Sequence, residues 1–264
     1  AADDTLAQEG QALFVTQCSF CHQVNGLDPN SAAPYEYSDT PDPDYGKSVE
    51  IINTGSELML GFVLNTHQQW LCRELADLGY PVARQVAVAD TAAAIEEAVC
   101  ESLRRADLVI TTGGLGPTSD DITRDRIAAL LEAPLEENAA IVAHIEAFFR
   151  QRHRTMPSST RVQALIPRGA TILHNAHGTA PGLAMQVAGG RFRKGATPNW
   201  LVMLPGPPRE LRPMFSSEVV PLLSREFPPP QERACRVLKT VGLGESLVEE
   251  RIAPRLAHLV QAGL

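Results

Sequence analysis

From Lys47 onward the apolar residues follow two alternating rhythms. "VEIINTG" is a short unbroken apolar run of the kind a sheet buries on both faces, and in "NTHQQWLCRELADLG" Trp70, Leu71, Leu75 and Leu78 recur at helical spacing, with Gly79 as the stop signal. The alternation continues with strand "PVARQVAVA", helix "DTAAAIEEAVCESLRRA" capped by Asp90 or Thr91, strand "DLVITTGG" and helix "DDITRDRIAALLEA". This β-α-β-α-β-α order predicts an α/β fold. Its sheet is mostly parallel with helices on both faces, and right-handed crossovers gather the ligand loops at the carboxyl ends of the strands.

Beyond it the pattern predicts a long helix over "LEENAAIVAHIEAFFRQRHR", where Phe148 and Phe149, like Trp70 before them, fit core positions. Four short apolar pieces follow, "QALIP", "ATIL", "APGLAMQV" and "NWLVMLPG", and then a proline-started helix over "PPRELRPMFSSEVVPLLSREF". "FPPP" marks a boundary. The segment after it reads as one strand, a glycine turn and one helix, too little to bury a core alone. At the other end, residues 5 to 22 form a helical pattern ending in "CSFCH", and a stretch rich in Pro, Asp, Ser and Gly follows as a linker. The expected organisation is therefore a fragment over residues 1–26, a linker over 27–46, a large domain over 47–227 and an incomplete small α/β domain over 228–264.

Composition narrows the class. With 264 residues, 44% hydrophobic and 20% charged, the chain matches a globular protein that buries a core. No apolar run approaches the ~18 residues of a membrane span, and no signal-peptide pattern opens the chain. Eight of the 31 acids and none of the 23 bases lie in residues 1–46, so the remainder is neutral. That balance argues against a nucleic-acid surface and sets the first segment apart. Five cysteines, an odd count with three of them scattered, do not look like a disulfide framework, and the main body reads as cytoplasmic.

The candidate chemistry sits in "LVITTGGLGPTSDDITRD". Gly113, Gly114 and Gly116 lack side chains, so backbone amides can converge on an anion, while Thr112, Thr118 and Ser119 add hydroxyls and the following helix its positive end. Phosphate is the natural guest. Carboxylates beside phosphate repel it unless a cation intervenes, so Asp120, Asp121 or Asp125 points to a Mg²⁺-like ion, although an aspartate there equally serves as a helix N-cap. Other strand-end loops offer Thr54, Gly55, Ser56 and Glu57, then Gly178, Thr179 and Gly182, then Gly206 in "LPGPPREL". His177 is a solvated loop residue or a phosphate contact, and Arg209 with Glu210 is a surface ion pair or part of the site.

"VEIINTGSELMLGFVLNTHQQWLCREL", "DLVITTGGLGPTSDDITRD", "QALIPRGATILHNAHGTAPG", "LPGPPREL" and "GLGES", in this order, resemble the competence/damage-inducible CinA family over residues 47–264. The resemblance implies a molybdopterin-binding domain of the MoaB/Mog type, then the start of a small KH-like domain. It also implies an ADP-ribose pyrophosphatase needing a divalent metal, Mg-like or Co-like, and helped by potassium. On this chain Gly113, Gly114, Gly116 and Thr118 would hold the diphosphate of a nucleotide. Glu57, Asp120 and Asp121 would position metal and water, and Asn65 would touch ligand or cap its helix. A nicotinamide-nucleotide amidase domain, common in the family, is absent from this sequence, so no deamidase activity is expected. Related domains bind or adenylylate molybdopterin, and a non-catalytic nucleotide-binding module is a third reading. Such domains usually self-associate, so a homo-oligomer is expected.

"CSFCH" resembles the CxxCH site of c-type cytochromes, in which Cys18 and Cys21 would carry haem c and His22 would ligate its iron for electron transfer. No methionine follows before Met59, so the usual axial partner is missing; the alternatives are a fused remnant or ordinary thiols.

Overall fold

The computed structural model describes residues 47–80, 82–228 and 241–261, which fall into two units, 47–228 and 241–261. The helix expected near the N-terminus, the linker, the CxxCH motif and the strand expected after "FPPP" lie outside the described residues. In the larger unit the elements run β1 (Val49–Thr54), α1 (Ser56–Met59), α2 (Thr66–Asp77), β2 (Val82–Val88), α3 (Ala92–Arg105), β3 (Leu108–Thr112) and α4 (Thr123–Leu130). Next come β4 (Leu135–Glu137), α5 (Ala139–Gln151), a 3-10 turn (Ser158–Ala164), β5 (Leu165–Pro167), β6 (Thr171–Leu173), β7 (Gly182–Val187) and β8 (Asn199–Leu204). It closes with α6 (Pro208–Met214), a π turn (Phe215–Val219) and α7 (Val220–Glu226). In the smaller unit α8 (Glu245–Gln261) is the helix the sequence predicts.

The main sheet has the order β2-β1-β3-β8-β7-β6. β2, β1, β3 and β8 are parallel; β7 and β6 extend the sheet antiparallel. The expected α/β architecture is present. Because side chains alternate across a strand, neighbours go to opposite layers. Ile51, Ile110 and Val202 pack against Leu71, Leu75, Leu211 and Phe215 on one face. Ile52, Val109 and Leu201 pack against Ile95, Val99, Ile127 and Ile145 on the other.

Three boundaries differ from the sequence reading. Leu135–Glu137 is not helical but pairs antiparallel with Leu165–Pro167, and the helix starts after Asn138, whose Oδ1 accepts the amides of Ala140 and Ile141. The helix expected from Asp120 begins at Thr123. The helix after β8 comes in three pieces, because Pro213 and Pro221 each remove an amide from the helical ladder and the π turn re-routes the chain between them.

Two polar ties fix the layers. Glu50, buried in β1, accepts from Arg105 Nε at 3.0 Å, Arg105 Nη2 at 3.2 Å and Ser102 Oγ at 2.6 Å. Tyr80 donates to the Phe227 carbonyl at 2.6 Å and stacks on the Phe227 ring, tying the end of α7 to the start of β2; burial pushes its pKa up to about 12. Among the described residues no helix is long and apolar enough to cross a membrane.

Candidate functional site

The loops leaving β1, β2, β3 and β8 all emerge at the carboxyl edge of the parallel strands, and with the loop before β7 they enclose a cleft of about 550 Å³. That volume suits an organic ligand. Its floor is the turn after β3. Gly113 and Gly114 have φ of +96° and +68°, a left-handed pair that side chains resist. A Cβ on Gly113 would stand 2.6 Å from the Thr54 carbonyl oxygen, and one on Gly114 would overlap the Thr123 hydroxyl.

The turn's amides divide into two sets. Gly113 N–H donates to Leu204 O at 3.0 Å, so this amide, expected to face the ligand, instead joins β3 to β8. The amides of Gly114, Leu115 and Gly116 donate to no group among the described residues. Three successive free donors on the cleft wall make an anion nest.

Carboxylates surround it. Glu57, Asp90, Asp120, Asp121 and Glu210 all line the cleft. Asp121 Oδ2 accepts from Thr118 N at 3.0 Å and Thr118 Oγ1 at 2.5 Å, so Asp121 braces the 118–121 turn; the N-cap of α4 is Ile122. Thr118 has one hydroxyl proton for two carboxylates, and geometry directs it to Asp121. Its nearness, with Asp120's own amide, still holds the exposed Asp120 carboxyl below the usual carboxylate range. Asp90, read as a possible helix cap, accepts Ser56 N at 2.8 Å, while its own amide donates to Ser56 Oγ at 3.2 Å. Thr91 caps α3.

Glu210 is buried. Its Oε2 accepts from Asn175 Nδ2 at 2.9 Å, and the exposed Arg209 lies 3.8 Å from its other oxygen. Helical register turns Arg209 outward and Glu210 inward, so the ion pair has one exposed and one buried partner.

A relay of amides braces the cleft from below. Asn65 caps α2 through Gln68 N at 3.2 Å and donates to Asn53 Oδ1 at 2.9 Å; Asn53 donates to Thr112 Oγ1 at 2.7 Å. The His67 ring lies by the Gly206 backbone, and its Nδ1 is buried without a partner. Burial lowers its pKa from the ordinary value and the Arg212 charge lowers it further, against the Gly206 backbone, which raises it.

Of the residues singled out from sequence, Thr54, Gly55, Glu57, Asn65, Thr112, Gly113, Gly114, Gly116, Asp120, Asp121, Thr179 and Gly206 line this cleft. Thr118 and Ser119 are exposed beside it and do not line it. Gly178 makes room for the Glu210 carboxylate, and Gly182 for Met214 and Leu173, so neither lines the cleft. His177 is exposed; its amide, not its ring, is engaged, donating to Asn175 Oδ1 at 3.0 Å. Asp90, His67, Gln163 and Glu210 are cleft residues that the sequence did not single out as ligand contacts, apart from the open reading of Glu210.

Comparison with known proteins places this geometry. Residues 50–225 match the family model described as "Probable molybdopterin binding domain". A competence-damage inducible protein of Symbiobacterium thermophilum is 43% identical over 209 residues, covering 79% of this chain and 47% of that protein. A CinA-like protein of Gemmatimonas aurantiaca is 41% identical over 207 residues, covering 77% and 46%. The chain thus spans about half the length of the curated relatives it matches. The crystal structure of CinA from Thermoplasma acidophilum, a protein of unknown function, is 27% identical with a TM-score of 0.58, covering 67% of this chain and 99% of that one. The chain belongs to the molybdopterin-binding-domain family, has the MoaB/Mog-like α/β fold and is similar to CinA-like competence-damage inducible proteins.

Proposed function

We propose that the cleft hydrolyses a nucleotide phosphoanhydride, ADP-ribose to AMP and ribose 5-phosphate, with a divalent cation and potassium assisting. The observation that carries this is the row of free amides at Gly114, Leu115 and Gly116 in one cleft with the carboxylates of Glu57, Asp120 and Asp121. Amides fixed by left-handed glycines suit phosphate oxygens, and carboxylates next to phosphate are tolerable only with a cation between them.

The residues fit that cation in a limited way. Among the described residues no group of three or more His, Cys, Asp or Glu is placed to hold a metal. A Mg²⁺-like ion needs only one or two carboxylates when substrate phosphates and waters complete its shell, and Asp120, kept ionised, and Asp121, fixed by Thr118, serve as those ligands. When bound, the ion neutralises charge on the phosphate oxygens and acidifies a water. The glycine amides hold the diphosphate in line. Glu57, whose carboxylate bonds no other described group, accepts the attacking water's proton as the new P–O bond forms and the bridging oxygen leaves with AMP or ribose 5-phosphate.

Hydrolysis of ADP-ribose with Mg²⁺ or Co²⁺ tests this on wild type and on Asp121→Asn, which keeps an acceptor for Thr118 but drops the charge. Activity lost with the melting point retained supports the reading; activity unchanged places the chemistry elsewhere. The description of the matching family supports a second reading, binding of molybdopterin, with its adenylylation as the reaction that could follow, and a parallel incubation with molybdopterin and ATP separates the two.

A further inference from the structure

His144 and His174 are not among the residues that line the cleft, yet their rings meet. His144 stands on α5, directly before the fully buried Ile145, and His174 follows β6. Their ring centres are 5.0 Å apart and the ring planes cross at 72°. An edge-to-face contact accounts for the closeness but not for how the ring nitrogens are used.

His144 Nε2 lies 3.1 Å from the Gly178 carbonyl oxygen. A carbonyl only accepts, so Nε2 carries the proton and the neutral ring presents a bare lone pair at Nδ1. That Nδ1 is neither buried nor bonded to another described group. His174 is exposed, and among the described residues its ring nitrogens have no hydrogen-bond partner. A histidine that gives one nitrogen to a backbone carbonyl and keeps the other free has the arrangement of a metal ligand, whose second nitrogen is tied in this way. The spacing agrees. Two imidazoles on one tetrahedral ion, each with its nitrogen about 2.0–2.1 Å away, hold their ring centres about 5 Å apart.

Both rings are set in place beforehand. Asn175, the neighbour of His174, is buried, and its Nδ2 donates to Ala180 O at 2.7 Å and to Glu210 Oε2 at 2.9 Å. Ligands ordered in advance lose little entropy when an ion arrives.

We propose that His144 Nδ1 and a ring nitrogen of His174 form a site for a divalent transition-metal ion of the Zn²⁺ kind, tying α5 to the loop before β7. Among the described residues no third His, Cys, Asp or Glu completes such a group, so water fills the remaining positions. Imidazole takes Zn²⁺ over Mg²⁺, which prefers oxygen, so this ion is chemically separate from the cation proposed for the cleft.

Isothermal titration of the metal-free full chain with Zn²⁺ tests it, on wild type, His174→Ala, His144→Asn and His177→Ala. Cys18, Cys21 and His22 are present in all four proteins, so any zinc they take drops out of the comparison. Losing one of two preplaced ligands weakens a site by about tenfold or more. His174→Ala and His144→Asn should each lose one zinc site or weaken it by that factor, while His177→Ala, altered at an exposed residue of the same loop, should match wild type. Mg²⁺, titrated in parallel, should behave alike in all four.

A zinc site that survives in either variant of the pair overturns the proposal. So does one that disappears with His177→Ala as well, because the ligands would then lie elsewhere on the loop. Parallel losses of Mg²⁺ and Zn²⁺ binding in His174→Ala also overturn it, since they would report a disturbed loop and not a missing imidazole. A wild type whose zinc isotherm is that of His174→Ala has no such site. None of these results bears on the phosphate cleft.

Discussion

Gly114 and Gly206 line the same cleft, and alanine separates what each is for. At Gly114 the φ of +68° costs any L side chain about 1–2 kcal/mol. The new Cβ would also overlap the Thr123 hydroxyl and stand 2.8 Å from Thr123 Cβ. Thr123 cannot retreat. It is fully buried, its hydroxyl lies 3.2 Å from Thr54 Oγ1, and its amide donates to Gly114 O at 3.1 Å. Overpacking at such a place costs about 1–3 kcal/mol, so Gly114→Ala should lose roughly 2–5 kcal/mol in all. At Gly206 the nearest atom to an added Cβ is Gly113 Cα at 3.6 Å, an ordinary contact. Gly206→Ala should be neutral or gain about 0.4–1 kcal/mol by restricting the unfolded chain.

Urea titration followed by tryptophan fluorescence measures both. Trp70 and Trp200 are the chain's two tryptophans and both lie in the 47–228 unit, so the signal reports that unit. With a slope of about 2–3 kcal/mol per M, Gly114→Ala should lower the midpoint by roughly 1–2 M and Gly206→Ala should leave it unmoved or raise it by up to about 0.5 M. The same Gly206 variant should weaken phosphate-ligand binding, because its methyl group would occupy space that the protein itself leaves empty. A Gly114→Ala midpoint equal to wild type would refute the packing argument. A Gly206→Ala that destabilises the fold and spares binding would reverse the assignment.

Other groups give sharper single readouts. His67 has its pKa depressed mainly by burial, so below the unfolded value near 6.5 the unfolded state binds the extra proton first. Stability should therefore fall as pH drops from 7.5 through that value, and the part lost by wild type but not by His67→Gln, read as a difference in urea midpoints, belongs to this ring. Tyr80→Phe removes the 2.6 Å bond to Phe227 O and strands that carbonyl, for an expected loss of about 1–2 kcal/mol in the same titration. Arg105→Met leaves the Glu50 carboxylate, 3% exposed, with Ser102, and should cost about 3 kcal/mol; Glu50→Gln with Arg105→Met should recover part of it. Recovery of nothing would mean that the cost is not electrostatic.

The layers were legible because periodicity reports burial. Ile51 and Ile52, or Leu71 and Leu75, announce which face they serve, and the order of strands and helices then leaves little choice of topology. The boundaries that slipped did so where long-range pairing outweighs local pattern. Nothing local to Leu135–Glu137 says that Leu165–Pro167 will come to lie beside it. The site divides in the same way. The strand-end turns were visible, yet Glu210 was ambiguous because its sequence neighbour Arg209 is an obvious ion-pair partner, whereas its decisive partner, Asn175, is 35 residues away. His67 carried no signal, since a histidine inside an amphipathic helix looks the same whether its ring meets water or the Gly206 backbone.

The glycines hold the deepest ambiguity. A sequence shows where a side chain is missing but not what stands in the space. At Gly178 the space is taken by Glu210, at Gly182 by Met214 and at Gly113 by Thr54, so these glycines would be required even if no ligand ever bound. Gly113 adds nothing to the anion nest, because its amide is already given to Leu204. The glycine-rich turn therefore has two separable functions. It lets β1, β3 and β8 close on one another at their carboxyl ends, and as a consequence of that packing it leaves the next three amides without protein partners. A substitution that keeps the packing but removes one of the three free amides, an ester replacement at Gly116 made by semisynthesis, should spare the urea midpoint and weaken phosphate binding. Affinity unchanged by it would move the anion to another of the four strand-end loops.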